Sequence, residues 1–130
     1  MLDIFLLLVI FQLKHFLADY PLQTPYMLGK MKATGWKLPL AAHAAVHALI
    51  TFTIAFVFLD LSYLPDVILF ASLLAMLDFT IHFLVDRVKA SPSLAGKFKP
   101  EQSYFWWALG ADQMAHHLTH YFIIAILVSL

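Results

Sequence analysis

Four apolar stretches of this chain carry acid or histidine side chains one helical turn apart: His15 and Asp19; His43 and His47; Asp78, His82 and Asp86; Asp112, His116 and His120. A four-residue step turns only about 40° around an α-helix and rises about 6 Å, so each set lines one stripe of its helix. The background is apolar enough for a membrane, with 62% hydrophobic and 12% charged residues against roughly half and a quarter in soluble domains. In lipid, a charged side chain at mid-depth costs on the order of 3 kcal/mol. Groups of this kind in every stretch therefore require helices that turn them inward, where they satisfy one another or a bound cation. The expected fold is all-α: a single integral membrane domain over residues 1–130, built as a polytopic four-helix transmembrane bundle around a polar His/Asp chamber.

The spans follow from the breakers. Residues 2–20 are long enough to cross the hydrocarbon core before Pro21 and Pro25 interrupt the helix. The stretch follows Asp3, lacks a basic leader and shows no small-residue cleavage site, so it is read as a retained span. Residues 38–59 form the second span, closed by Asp60, Ser62 and Pro65. Residues 65–88 form the third, with Pro65 in its first turn and Arg87 and Lys89 at its exit. Residues 91–102, with Pro92, Gly96 and Pro100, form a polar connector. Residues 104–130 form the fourth, anchored in the headgroup layer by Tyr104, Phe105, Trp106 and Trp107.

Lys30, Lys32 and Lys37 lie in the first connection, and Arg87, Lys89, Lys97 and Lys99 flank or occupy the third. The second connection and both ends carry no cation. Because Lys and Arg stay on the cytoplasmic side, both basic connections are expected in the cytoplasm and both termini in the periplasm, with Lys14 snorkelling toward the basic side. In that topology all four stripes fall between the cytoplasmic interface and mid-bilayer, so one chamber open to the cytoplasm accommodates them.

With no cysteine, a metal must be held by nitrogen and oxygen. Imidazole and carboxylate on facing helices suit a divalent ion such as zinc, iron or manganese. The candidate ligands are His15, Asp19, His43, His47, Asp78, His82, Asp86, Asp112, His116 and His120, with His82, Asp86, Asp112 and His116 as the core set. These are more than one ion needs, which leaves room for two bridged ions or for carboxylates that orient the imidazoles. His117 stands about 100° from His116 and is expected at a neighbouring helix or the chamber's edge. Gln12 is a candidate for a hydrogen bond within the bundle.

The segments KHFLADYPLQT from Lys14, DFTIHFLVDRVK from Asp78 and ADQMAHHLTH from Ala111 resemble the signatures of an uncharacterised bacterial inner-membrane family, a domain of unknown function. The likeness covers nearly the whole chain. It implies a compact multi-span protein of the bacterial inner membrane with a polar set at His15, Asp19, Gln23, Asp78, His82, Asp86, Asp112, Gln113 and His116, and brings no activity. The run from His116 to His120 is also similar to the histidine boxes of membrane desaturases and hydroxylases, but the carboxylate-rich remainder departs from their pattern.

The first functional reading is a metal-dependent membrane hydrolase, in which the ion lowers the pKa of its water and Asp78 or Asp19 acts as general base. The alternative is a proton or metal-ion transporter or relay, although the outer halves of all four helices are almost purely apolar. A haem-binding electron-transfer bundle, disfavoured by the carboxylates near every histidine, and a structural polar network complete the set. The bilayer is the expected partner and nucleic acid is not. A homo-oligomer or a place in a larger membrane complex stays open.

Overall fold

The computed structural model describes residues 2–60 and 62–130, so Met1 and Leu61 of the expected domain lie outside the described residues. The described residues form four long helices and no strand: α1 (Leu2–Asp19), α2 (Lys37–Phe58), α3 (Leu64–Ala90) and α4 (Ser103–Leu127). The ends follow the breakers. Helix α1 stops at Asp19 because Pro21 offers no amide hydrogen, and the turn widens there, with Leu22 N–H donating to the Leu17 carbonyl five residues back at 2.9 Å. Gln23 therefore leaves the helical stripe of His15 and Asp19. Helix α3 starts with Pro65 in its first turn and ends with Arg87 and Lys89, where cations suit the negative end of the helix dipole.

Helices α2 and α3 share the most extensive contact, α4 packs on α3, and α1 closes the ring by touching α2 and α4. The stripe residues sit late in α1 and α3 and early in α2 and α4, and they meet; consecutive helices therefore run in opposite directions. The bundle is divided along its length. One half is filled by apolar side chains, among them Leu7 and Phe11 of α1, Ile54 of α2, Ala71 and Leu74 of α3 and Ile123 of α4. The other half buries Lys14 and the polar stripes.

The outer surface is the reverse of a soluble protein's. Phe5, Leu13, Leu49, Val57, Leu73, Met76, Leu118 and Phe122 all point outward and are exposed. Helices α2 and α3 are long and apolar enough to cross a membrane. Helix α1 is less uniformly apolar because it carries Asp3, Lys14 and Asp19, and α4 because it holds Asp112 and the histidines.

Two connections roof the polar half. In the first, a 3-10 turn at Met27–Met31 lies against the start of α2, close enough that a side chain on Gly29 would come 2.9 Å from the Pro39 ring. Arg87 straps this connection to α3: its guanidinium donates to the Lys30 and Lys32 carbonyls (3.3 and 3.4 Å) and lies on the Trp36 ring, 3.8 Å from its centroid. In the second, Gly96 N–H donates to the Ser91 carbonyl at 3.0 Å. A Cβ on Gly96 would lie 2.6 Å from the Ala90 carbonyl oxygen, so the loop folds back on α3 only with glycine there.

Candidate metal centre

The stripes of all four helices converge in one buried cluster. His43, His47, Asp78, His82, Asp86, Asp112, His116 and His120 are all buried, as is His15, and Asp19 is half-buried at the roofed end. Three groups offer ligand atoms within 4.8 Å of one another and could hold a metal ion: Asp19 with His43 and His47; Asp86 with Asp112 and His116; and His15 with His82 and His120. Nine of the ten residues singled out by spacing fall into these groups, and Asp78 is the tenth. The core set divides, because His82 joins His15 and His120 rather than Asp86, Asp112 and His116.

The layer nearest the connections holds the carboxylates. His47 Nε2–H donates to Asp19 Oδ1 at 3.0 Å, and His15 Nε2 lies 3.1 Å from Asp19 Oδ2. His43 Nε2 stands between two acids, 3.3 Å from Asp19 Oδ1 and 3.1 Å from Asp86 Oδ2. His116 Nε2–H donates to Asp86 Oδ1 at 3.1 Å and lies 3.4 Å from Asp112 Oδ1. Two lysines reach in, Lys30 from the first connection and Lys89 from the last turn of α3: Lys30 donates to Asp86 Oδ2 at 2.8 Å and Lys89 to Asp112 Oδ2 at 2.7 Å. Gln113 also donates to Asp112 Oδ2, at 3.0 Å.

The middle layer is imidazole. The His82 ring is sandwiched between His47 and His116, with centroids 3.7 and 4.0 Å away. Its Nδ1 lies 3.1 Å from both the Asp78 carbonyl and Asp78 Oδ1. Both partners only accept, so the ring proton sits on Nδ1 and Nε2 is left with a free lone pair. That buried Nε2 has no hydrogen-bond partner, and neither do His15 Nδ1, His43 Nδ1, His47 Nδ1, His116 Nδ1 or His120 Nδ1. Buried polar atoms are nearly always paired, so a concentration of unpaired imidazole nitrogens is itself a sign of ligand capacity. A histidine that donates Nδ1–H to an oxygen and keeps Nε2 free has the arrangement found at metal sites.

The deepest layer departs from the sequence reading. Lys14 does not snorkel to the basic side: it is buried, forms an ion pair with Asp78, and its Nζ lies 3.3 Å from His120 Nε2. The reason is its place on α1, one turn from Phe11 and from Ala18 on the face that meets the other helices. Thr51 donates to Asp78 Oδ2 at 2.6 Å. Asp78, expected as a general base, is thus enclosed by Lys14, Thr51 and His82, and Phe11 covers the His120 ring from the apolar side at 5.2 Å. His117 lies at the edge, as expected, where it accepts from Gln12 Nε2 at 3.0 Å.

Charge separates the four carboxylates. Asp78, Asp86 and Asp112 each have a lysine. Among the described residues no lysine or arginine forms an ion pair with Asp19, which has only imidazoles around it. A cavity of about 650 Å³ opens above this layer, with Asp19 and Asp86 on its floor and Lys30, Lys89, Gln23 and Gln113 in its walls. Asp78 does not reach it.

Spacing alone passes over four side chains that contact the cluster. Thr51 is one more four-residue step along the stripe of His43 and His47, a signal present in the sequence. Lys89 stands one turn after Asp86, but its partner is on α4; the placements of Lys14 and Lys30 depend on which helix face and which loop come together.

The chain matches the model of the family described as Protein of unknown function (DUF3307) over residues 6–130, and belongs to that family. No curated protein and no solved structure matches it.

Proposed function

We propose that this member of the DUF3307 family is a metal-dependent membrane hydrolase whose site faces the cytoplasm. The observation that carries the reading is the meeting of Asp19, at the floor of the cavity, with His43 and His47, buried just beneath it, and His15 alongside; among the described residues no lysine pairs with Asp19. A divalent cation there would be held by imidazole and carboxylate, the donor set of zinc, iron and manganese, and would balance the acid. Such an ion supplies a water of lowered pKa at neutral pH. Asp86, on the same floor and joined to Asp19 through His43, is the carboxylate positioned to accept a proton from that water. The group of Asp86, Asp112 and His116 is the alternative cation position; an ion there would make Asp86 a ligand and leave Asp19 as the base. The all-imidazole group is the least favourable, because Lys14 lies against His120.

The bundle spans the bacterial inner membrane four times, with the lipid bilayer as its partner. The outward apolar faces of all four helices, the inward polar stripes and the grouping of cations in two connections support that placement. Transport is the weaker reading, since among the described residues no buried polar side chain beyond Lys14, Thr51 and Asp78 continues a path into the apolar half.

Metal analysis of the purified protein tests the proposal. Near-stoichiometric zinc, iron or manganese without a Soret band is expected, falling severalfold in Asp19→Ala, His43→Ala and His47→Ala but little in His117→Ala. Unchanged metal in the first three variants with folding intact, or a strong Soret band, sinks the site.

A further inference from the structure

The cavity above the carboxylate layer is more than an entrance. Its walls are of two kinds: Lys30, Lys89, Gln23 and Gln113 on one hand, and apolar Leu28, Met31, Phe98, Phe105 and Leu109 on the other. At about 650 Å³ it lies in the range of small-molecule sites and far exceeds the space one water needs. It is lined by α1, α3, α4 and both roofing connections, and it lies beside the first turns of α4, where Trp106 and Trp107 are exposed as an aromatic anchor would be.

Counted over lysines and carboxylates alone, Asp19, Asp78, Asp86 and Asp112 outnumber Lys14, Lys30 and Lys89 by a single charge. A divalent ion turns that count positive. In a low-dielectric surround such an excess favours an anionic ligand. Lys30 and Lys89 are well placed for this, because each lines the cavity and holds a carboxylate of a candidate ion group, Asp86 and Asp112 respectively. A carboxylate headgroup brings one negative charge, whereas a phosphate ester brings up to two and several acceptor oxygens for the lysine and glutamine donors.

We propose that the substrate is a phosphate ester of a membrane lipid, its phosphate between Lys30 and Lys89 and the first part of its chain against Leu28, Phe105 and Leu109. The assignment rests on the hydrolase reading above and names the substrate class of that site. In the hydrolysis, water delivers OH to phosphorus and a proton to the departing alcohol oxygen as the ester P–O bond breaks, with no change of oxidation state.

The test is binding of dioctanoyl phosphatidic acid, dioctanoylglycerol and glycerol 3-phosphate to zinc-loaded protein in a neutral detergent, read by calorimetry with metal content measured on the same samples. Phosphatidic acid is expected to bind at least about tenfold more tightly than the other two, the scale of one charge-assisted hydrogen bond. Lys30→Gln and Lys89→Gln should each weaken it about tenfold. Leu109→Trp, which fills the apolar wall without touching an ion pair, should abolish binding while metal stays. Equal binding of glycerol 3-phosphate overturns the lipid in favour of a soluble phosphate, and equal binding of dioctanoylglycerol overturns the phosphate. Metal present with no probe bound overturns the substrate class alone; phosphatidic acid bound by protein that takes up no metal overturns the hydrolase reading alone.

Discussion

The ion pair of Lys14 with Asp78 gives the most direct test of how the polar half is held together. Its side chains are 1% and 0% exposed, and the carboxylate is further fixed by Thr51 at 2.6 Å. Lys14→Met keeps most of the volume but leaves a buried carboxylate without its counter-charge, which should cost about 3–5 kcal/mol. Asp78→Asn leaves the ammonium in the same position and should cost a similar amount. The double variant removes both charges while the carbonyl oxygen of the new amide can still accept from Thr51, so it should be no worse than either single change. The coupling would then be at least about 3 kcal/mol, at or beyond the upper end for neighbouring residues. Reversible unfolding in mixed micelles with increasing SDS, followed by circular dichroism, measures all corners of the cycle. Additive losses, or single variants within about 1 kcal/mol of the parent, would refute the view that Asp78 is held ionised by Lys14.

Reporter fusions should place the C-terminus at Leu130 in the periplasm and Ser93 in the cytoplasm; a cytoplasmic C-terminus would overturn the topology and the side of the site together. Proteoliposomes loaded with a metal or pH indicator should show no sustained flux, and flux that disappears in Asp78→Asn would count for transport instead. Gly96→Ala should destabilise the protein by about 1–3 kcal/mol, the usual range for forcing atoms into occupied space, because the new methyl group meets the Ala90 and Ser91 carbonyls. Parent-like thermal unfolding of that variant would show that the loop tolerates the contact.

Much of this architecture is legible in the sequence, for identifiable reasons. Proline and the charged turns mark where α1, α2 and α3 stop and where α3 and α4 begin, because each removes a backbone donor or favours solvent. The four-residue step marks the inward face, because helical geometry turns spacing into direction. What spacing does not supply is the relative rotation of the helices. His82 shares a stripe with Asp86 yet joins His15 and His120, and only the packing of α1 against α4 brings those two histidines together. Lys14 departs from expectation for a related reason: its long side chain permits either an outward reach or an inward ion pair, and the choice depends on Asp78 of α3 lying opposite. Lys30 reaches Asp86 from a loop whose path no periodicity describes.

Arg87 and Asp86 are neighbours in sequence but point about 100° apart around α3. One faces the ligands and receives Lys30; the other grips the backbone of the same connection from outside and stacks on Trp36. Both attachments depend on the register of a single turn of one helix. A slip of α3 by one residue would carry both attachments out of position, so Lys30 and Arg87 fasten the first connection together only when Asp86 faces the polar half.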